Sequence, residues 1–209
     1  PNASPLRRLI VPAVAVSTLL WAAPLAYAVQ VPEPFVVENV TPGTGFNQPT
    51  AFAFVGDGRI LVAEKRGVVR VVTGGAKLAT PMWDAQDEVL DNGDRGLIGI
   101  AVDPRFDQNH FVYLLYSVDP DSDGVDDNDD AFGRLTRYRT SAAYPSVLDP
   151  ASRTVLIGRS WRDGIPSASP SHAVDAPRFG ADGSLLVSCG EGAQYSMMDC
   201  GGHDPDEFG

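Results

Sequence analysis

Past residue 48 the chain is written in short apolar runs separated by Gly, Asp and Pro. Runs at 50–54, 60–63 and 68–72 are broken by Asp57-Gly58, by Lys65-Arg66-Gly67 and by Gly74-Gly75. Short strands punctuated by tight turns predict a β-meander. The same grammar returns at the other end. Asp182-Gly183 lies between apolar runs at 176–179 and 185–188, and Gly accepts the positive φ that a tight hairpin turn requires. Between residues 29 and 209 no apolar period of 3.6 is sustained over a helical length, so the expected class is all-β.

An internal repeat turns strands into an architecture. FVGDGRILVAEKRG at 54–67 aligns without a gap to FGADGSLLVSCGEG at 179–192, and IAVDPRFDQNHFVYLLYS at 100–117 is a looser third copy. Meanders that recur and must stack to bury their faces predict propeller blades. A sandwich of unrelated strands is the alternative, and it supplies no reason for self-similarity.

The first 28 residues read differently. Arg7 and Arg8 precede an apolar stretch from Leu9 to Ala23, and Ala26-Tyr27-Ala28 is a small-x-small cleavage site. That is the pattern of a secretory signal peptide, too interrupted by Pro12 and Pro24 for a membrane anchor. The expected layout is a signal peptide at 1–28, an extended lead-in at 29–47, and a truncated N-terminal part of a propeller at 48–209. The expected location is periplasmic or extracellular, with no membrane span in the mature chain. Without Arg7 and Arg8 the remainder carries 14 basic residues against 27 acidic ones, a formal −13. Such a charge argues against nucleic acid and anionic membranes and suits divalent cations and neutral solutes. Cys189 and Cys200, with ten residues between them, make a disulfide the expectation in an oxidising compartment, while two Cys without clustered His do not suggest zinc.

Candidate chemistry is concentrated in a few places. Of three histidines, His110 and His203 sit in polar turns, whereas His172 stands between a Ser/Pro-rich loop and a strand. An antiparallel hairpin after it would bring Glu191 back to the same edge as His172. The setting alone leaves His172 either a loop residue or a functional one, and Glu191 either a partner or a solvated rim acid. The segment DPDSDGVDDNDD at 119–130 holds seven Asp. Asp119, Asp121, Asp123 and Asp130 fall at positions 1, 3, 5 and 12 of a Ca²⁺-loop spacing, with Gly124 at position 6. Either Ca²⁺ relieves the repulsion among these carboxylates, or the loop is a solvated hairpin tip. No phosphate-cradling Gly loop at a strand–helix junction and no Gly-x-Ser-x-Gly elbow is present, which argues against nucleotide use and serine hydrolysis.

His172, Phe179-Gly180, Asp182-Gly183, the strand at 185–187 and Gly190-Glu191 together resemble the glucose/sorbosone dehydrogenase family of soluble quinoproteins. QPTAFAF, LVAEKRG, GDRGLIGIAVDPRF and GRLTRY extend the resemblance across residues 48–192. The resemblance implies a six-bladed β-propeller, about three blades of it here. It implies pyrroloquinoline quinone (PQQ) and Ca²⁺ as cofactors, a sugar as substrate and an external electron acceptor. In that reading His172 is the general base and Glu191 a carboxylate near the substrate, while Arg95 and Asp94 stand where cofactor contacts are expected. Val174-Asp175 replaces a usual Gly pair, and Asp94 a usual neutral amide. Both departures favour the alternative, a non-catalytic propeller of the same fold that binds a glycan or a protein.

Overall fold

The computed structural model describes residues 31–42, 44–120, 131–167 and 169–191. The segment 31–38 belongs to a unit separate from Asn39 onward. It has no strand, and its one turn closes through the Phe35 N–H donating to the Pro32 carbonyl at 2.9 Å.

From Pro49 the described chain is strand upon strand. The first sheet contains β1 (Pro49–Phe54), β2 (Ile60–Glu64), β3 (Val68–Thr73), β4 (Ala76–Lys77) and β5 (Trp83–Asp84). Its antiparallel order is β1-β2-β3-β4, with β5 also on β3. The second sheet is built from β6 (Leu97–Val102), β7 (Phe111–Val118), β8 (Phe132–Thr140), β9 (Leu148–Ile157) and β10 (Ile165–Pro166). Here β6-β7-β8 run in sequence, and β8 carries β9 along one part of its edge and β10 along another. The third is the hairpin of β11 (Val174–Phe179) and β12 (Leu185–Cys189). One four-residue helical turn, α1 (Phe106–Asn109), joins β6 to β7. Its brevity agrees with the absence of helical periodicity in the sequence.

The first strands of the three sheets are neighbours: β1 lies against β6, and β6 against β11. Successive meanders therefore pack face to face around a common inner edge, as blades do. The apolar runs follow from this. β7 reads FVYLLYSV without polar alternation because both its faces are covered. Val112, Leu114, Tyr116 and Val118 join Leu61, Val69, Val71, Trp83 and Leu97 in a core between the first and second sheets. Tyr113 and Leu115 point the other way and meet Val174, Phe179 and Val187 in a core between the second and third.

Turn chemistry repeats with the sequence. In the first sheet the Val55 N–H bonds the Arg59 carbonyl at 2.8 Å, the Gly58 N–H bonds the Val55 carbonyl at 3.0 Å, and Gly58 has φ +89°. In the third, Gly180 N–H bonds Ser184 carbonyl at 2.8 Å, Gly183 N–H bonds Gly180 carbonyl at 3.0 Å, and Gly183 has φ +83°. Asp57 and Asp182 each lend a side-chain oxygen to the amide two residues on. These Asp-Gly turns close the two hairpins in the same way.

Candidate functional site

The end of the hairpin opposite its turn holds the chemistry. Pairing of Val174 with Cys189 sets the residues just before β11 beside those just after β12. His172 and Glu191 meet there, the imidazole Nδ1 against the Glu191 Oε1. Both side chains are about half exposed, 46 % and 55 %. Glu191 is held below the usual carboxylate range, first by its own backbone N–H and then by the His172 ring. A carboxylate can only accept, so Nδ1 carries the proton in this contact, and in the neutral ring the Nε2 lone pair is left for another partner.

The backbone beneath the ring is unusual. His172 has φ +53°, a left-handed conformation that a side-chain-bearing residue rarely holds without support. Support comes from both sides. Asp94 Oδ2 accepts the His172 N–H at 3.0 Å, and the Asp94 N–H donates to the Pro170 carbonyl at 2.7 Å. On the other side the Gly190 N–H donates to the Ala173 carbonyl at 2.7 Å. The absence of a side chain at Gly190 is required, because a Cβ there would stand 2.2 Å from the His172 carbonyl oxygen. The signal for this in the sequence is the Gly preceding Glu191.

Around the imidazole lies an open cavity of about 450 Å³, walled by Asp94, Ile98, Asp175, Cys189 and Glu191 among others. Asp175 and Cys189 are members that the sequence reading did not assign to the site. Asp175 accepts from the Ser188 hydroxyl at 2.9 Å. Of the residues expected here, the structure thus brings together His172, Glu191 and Asp94. Arg95, adjacent to Asp94 in sequence, does not line this cavity. It is fully buried, and its guanidinium donates to the Ser167 carbonyl, through Nε at 2.7 Å and also through one terminal nitrogen. Of the acidic loop, Asp119 is buried, its N–H on the Glu88 carbonyl at 2.9 Å. Asp121, Asp123 and Asp130 lie outside the described residues, as do Cys200, His203 and the leader at 1–28. Among the described residues no group of three or more His, Cys, Asp or Glu is arranged to hold a metal ion. His110 caps α1 with φ +58° and sets its ring edge-on to Phe106, and it lines a different cavity from His172.

The glucose/sorbosone dehydrogenase family model matches residues 46–204. The chain belongs to this family. It is 30% identical over 186 residues to the aldose sugar dehydrogenase YliI of Escherichia coli, covering 88% of this chain and 44% of that protein. It is 25% identical over 156 residues to mouse Hedgehog-interacting protein, covering 71% of this chain and 21% of that one. A solved structure of a glucose dehydrogenase-type oxidoreductase from Thermus thermophilus superposes with a TM-score of 0.56 at 31% identity, covering 74% of this chain and 40% of that one. PQQ-bound aldose sugar dehydrogenase from Streptomyces coelicolor gives a TM-score of 0.58 at 23% identity, covering 75% and 41%. The chain therefore spans less than half the length of these relatives. The three sheets are blades of the family's β-propeller.

Proposed function

We propose that this glucose/sorbosone dehydrogenase-family chain forms part of an exported, PQQ-dependent oxidoreductase that oxidises an aldose-type hydroxyl, with His172 as general base. The observation that carries the reading is the His172–Glu191 contact at the open end of the third hairpin. Glu191 fixes the tautomer and the ring orientation, so Nε2 faces the cavity as a proton acceptor for a sugar hydroxyl. As that O–H bond breaks, the proton goes to Nε2, the carbon–hydrogen bond on the same carbon breaks with its electron pair, and the C–O bond becomes C=O. PQQ, when bound, supplies the two-electron acceptor, and an external acceptor recovers those electrons.

The described residues fit the proton-transfer half of such a site better than the cofactor half. The cavity wall offers three carboxylates, Asp94, Asp175 and Glu191, and anionic PQQ needs cations. Arg95, the expected cation, is buried beneath the loop that carries His172. The carboxylate clamp and the Ca²⁺ of the cofactor therefore fall to sequence beyond the described residues. For the acidic loop we propose structural Ca²⁺ on Asp119, Asp121, Asp123 and Asp130, expected to raise Tm with Ca²⁺ and to lose that gain with chelator.

The test is to mix the full-length protein with PQQ and Ca²⁺ and follow dye reduction by aldoses. Turnover that falls about 10²- to 10⁴-fold in His172→Ala is the expected result. No turnover in the parent protein, or equal turnover in His172→Ala, overturns the assignment. The second reading, a non-catalytic propeller that binds a partner, is favoured by the similarity to Hedgehog-interacting protein and by Val174-Asp175 beside the histidine. Binding of a glycan or protein at this rim without dye reduction would select it.

A further inference from the structure

A network of hydrogen bonds runs from one blade to the next and ends on the His172 backbone. It begins in the first blade, where Lys65 Nζ donates to the Gly93 carbonyl at 2.6 Å and the Lys65 carbonyl accepts from Leu97 N–H at 2.7 Å. These bonds grip both ends of the short loop 93–97 of the second blade. That loop in turn holds Ser167 and the segment 169–172. Arg95 is bonded to the Ser167 carbonyl, Asp94 N–H to the Pro170 carbonyl at 2.7 Å, and Asp94 Oδ2 to the His172 N–H at 3.0 Å. Ser117 on β7 adds a hydroxyl contact to Ser167 at 3.2 Å. The fit is close as well as bonded: a Cβ at Gly93 would stand 2.3 Å from the Pro170 carbonyl oxygen.

Apart from the Ser117–Ser167 hydroxyl contact, each bond here constrains main chain, and the network ends at the residue with φ +53°. A left-handed histidine relaxes towards ordinary backbone unless its surroundings over-determine it. Relaxation would swing the imidazole away from Glu191. Asp94 is exposed, so its carboxylate is not needed to fill a core, and its one side-chain bond is directed at this amide.

We infer that Asp94 is a positioning residue for His172: it holds the general base through its backbone N–H, braced by Arg95 and Lys65, rather than contacting the cofactor. The role rests on the proposed function for its consequence in catalysis, and on geometry alone for its consequence in structure. The acceptor oxygen matters and the charge does not. Asn at this position keeps an oxygen that can accept the same N–H, whereas Ala removes it.

The experiment uses the full-length protein as parent, Asp94→Ala and Asp94→Asn, read three ways. First, ¹H–¹³C spectra of the cofactor-free protein with labelled histidine follow the His172 Cε1–H peak, assigned by its loss in His172→Gln. The peak is expected to move or broaden in Asp94→Ala and to hold in Asp94→Asn, with the His110 peak unmoved in both as the folding control. Second, kcat is expected to fall about 10- to 100-fold in Asp94→Ala with KM within about 3-fold, the pattern of a misplaced group, and to recover in Asp94→Asn. Third, Kd for PQQ is expected to stay within about 3-fold in both. An unmoved His172 peak in Asp94→Ala overturns the inference, as does equal damage in Asp94→Asn, or a weakened PQQ affinity with kcat intact. If the parent oxidises no sugar, the proposed function fails by itself, and the histidine spectrum still decides whether Asp94 positions the ring.

Discussion

The first and third blades begin with the same hairpin, and only one of them carries a site. Register makes them superimposable residue for residue. Pro49 pairs with Glu64 as Val174 pairs with Cys189, and each inner strand has one extra residue beyond that pair, Thr50 in β1 and one within Asp175-Ala176 in β11. Bulges of this kind re-aim the residues at a strand's end. Lys65 N–H donates to the Gln48 carbonyl at 2.9 Å as Gly190 N–H donates to that of Ala173 at 2.7 Å. In this frame Asn47 stands where His172 does, Lys65 where Gly190 does, and Arg66 where Glu191 does. The left-handed residue differs by one position: Gln48 has φ +46° in the first blade, and His172 has φ +53° in the third. That shift turns the His172 carbonyl over residue 190, which is why the third blade needs Gly where the first has Lys. Three exchanged residues and one moved backbone kink separate the candidate site from the common scaffold.

The largest effect should separate the equivalent residues Asn47 and His172. His172→Ala should cut kcat about 10²- to 10⁴-fold, the usual worth of a general base. Asn47→Ala, exposed and outside the cavity, should leave kcat within about 2-fold. Steady-state dye reduction on both variants decides it, and equal losses would mean that the hairpin frame, not the imidazole, is what activity requires.

Next comes the Gly190–Lys65 pair. Gly190→Ala places a methyl 2.2 Å from the His172 carbonyl oxygen and 2.8 Å from its Cβ, so the histidine must move. A displacement of about 1 Å at a reacting group costs about 10²-fold, and the forced repacking about 1–3 kcal/mol. Kinetics and denaturant melts read the two costs separately. Lys65→Ala should cost less in both assays, because it loosens the loop 93–97 without touching the ring.

Much of this was legible along the chain. Asp57-Gly58 and Asp182-Gly183 announce their turns because the demand for positive φ is local, and the apolar runs of β2, β3, β7 and β12 announce strands because their burial is continuous along the sequence. The meeting of His172 with Glu191 follows from hairpin geometry, so it too could be read in advance. What could not be read is set between blades. Nothing near Arg95 in sequence says that its guanidinium will be buried on the Ser167 carbonyl, or that the neighbouring carboxylate will take a backbone N–H 78 residues away. Charged residues in a loop look available until the partner loop is known. The bulges at Thr50 and at Asp175-Ala176 were equally hidden, because an extra residue in one strand shows only against its partner.

A smaller effect should be shared rather than split. Gly58 and Gly183 both take left-handed φ, and a Cβ on either would meet nothing within 4 Å. Gly58→Ala and Gly183→Ala should therefore each cost about 1–2 kcal/mol, from backbone strain alone, with activity per folded molecule unchanged. Denaturant midpoints that differ widely between the two would show that the repeated turns are not energetically equivalent.

The smallest effect is in acid, and only the third hairpin should have it. The Glu191 carboxyl is held below the usual range, first by its own N–H and then by His172, while the equivalent position of the first hairpin holds Arg66 and no carboxyl. A carboxyl whose folded pKa is depressed contributes stability that is fully present above its unfolded value of about 4.3 and is lost as pH falls through the lower folded value. The wild-type Tm should therefore exceed that of Glu191→Gln at pH 6, and the gap should close as the pH is taken down through the acid range. Asp94 and Asp175 share the cavity, so the comparison is made between the two proteins at each pH. A gap that stays constant down to pH 3 would mean that Glu191 acts by shape, and that the contact with the imidazole owes nothing to its charge.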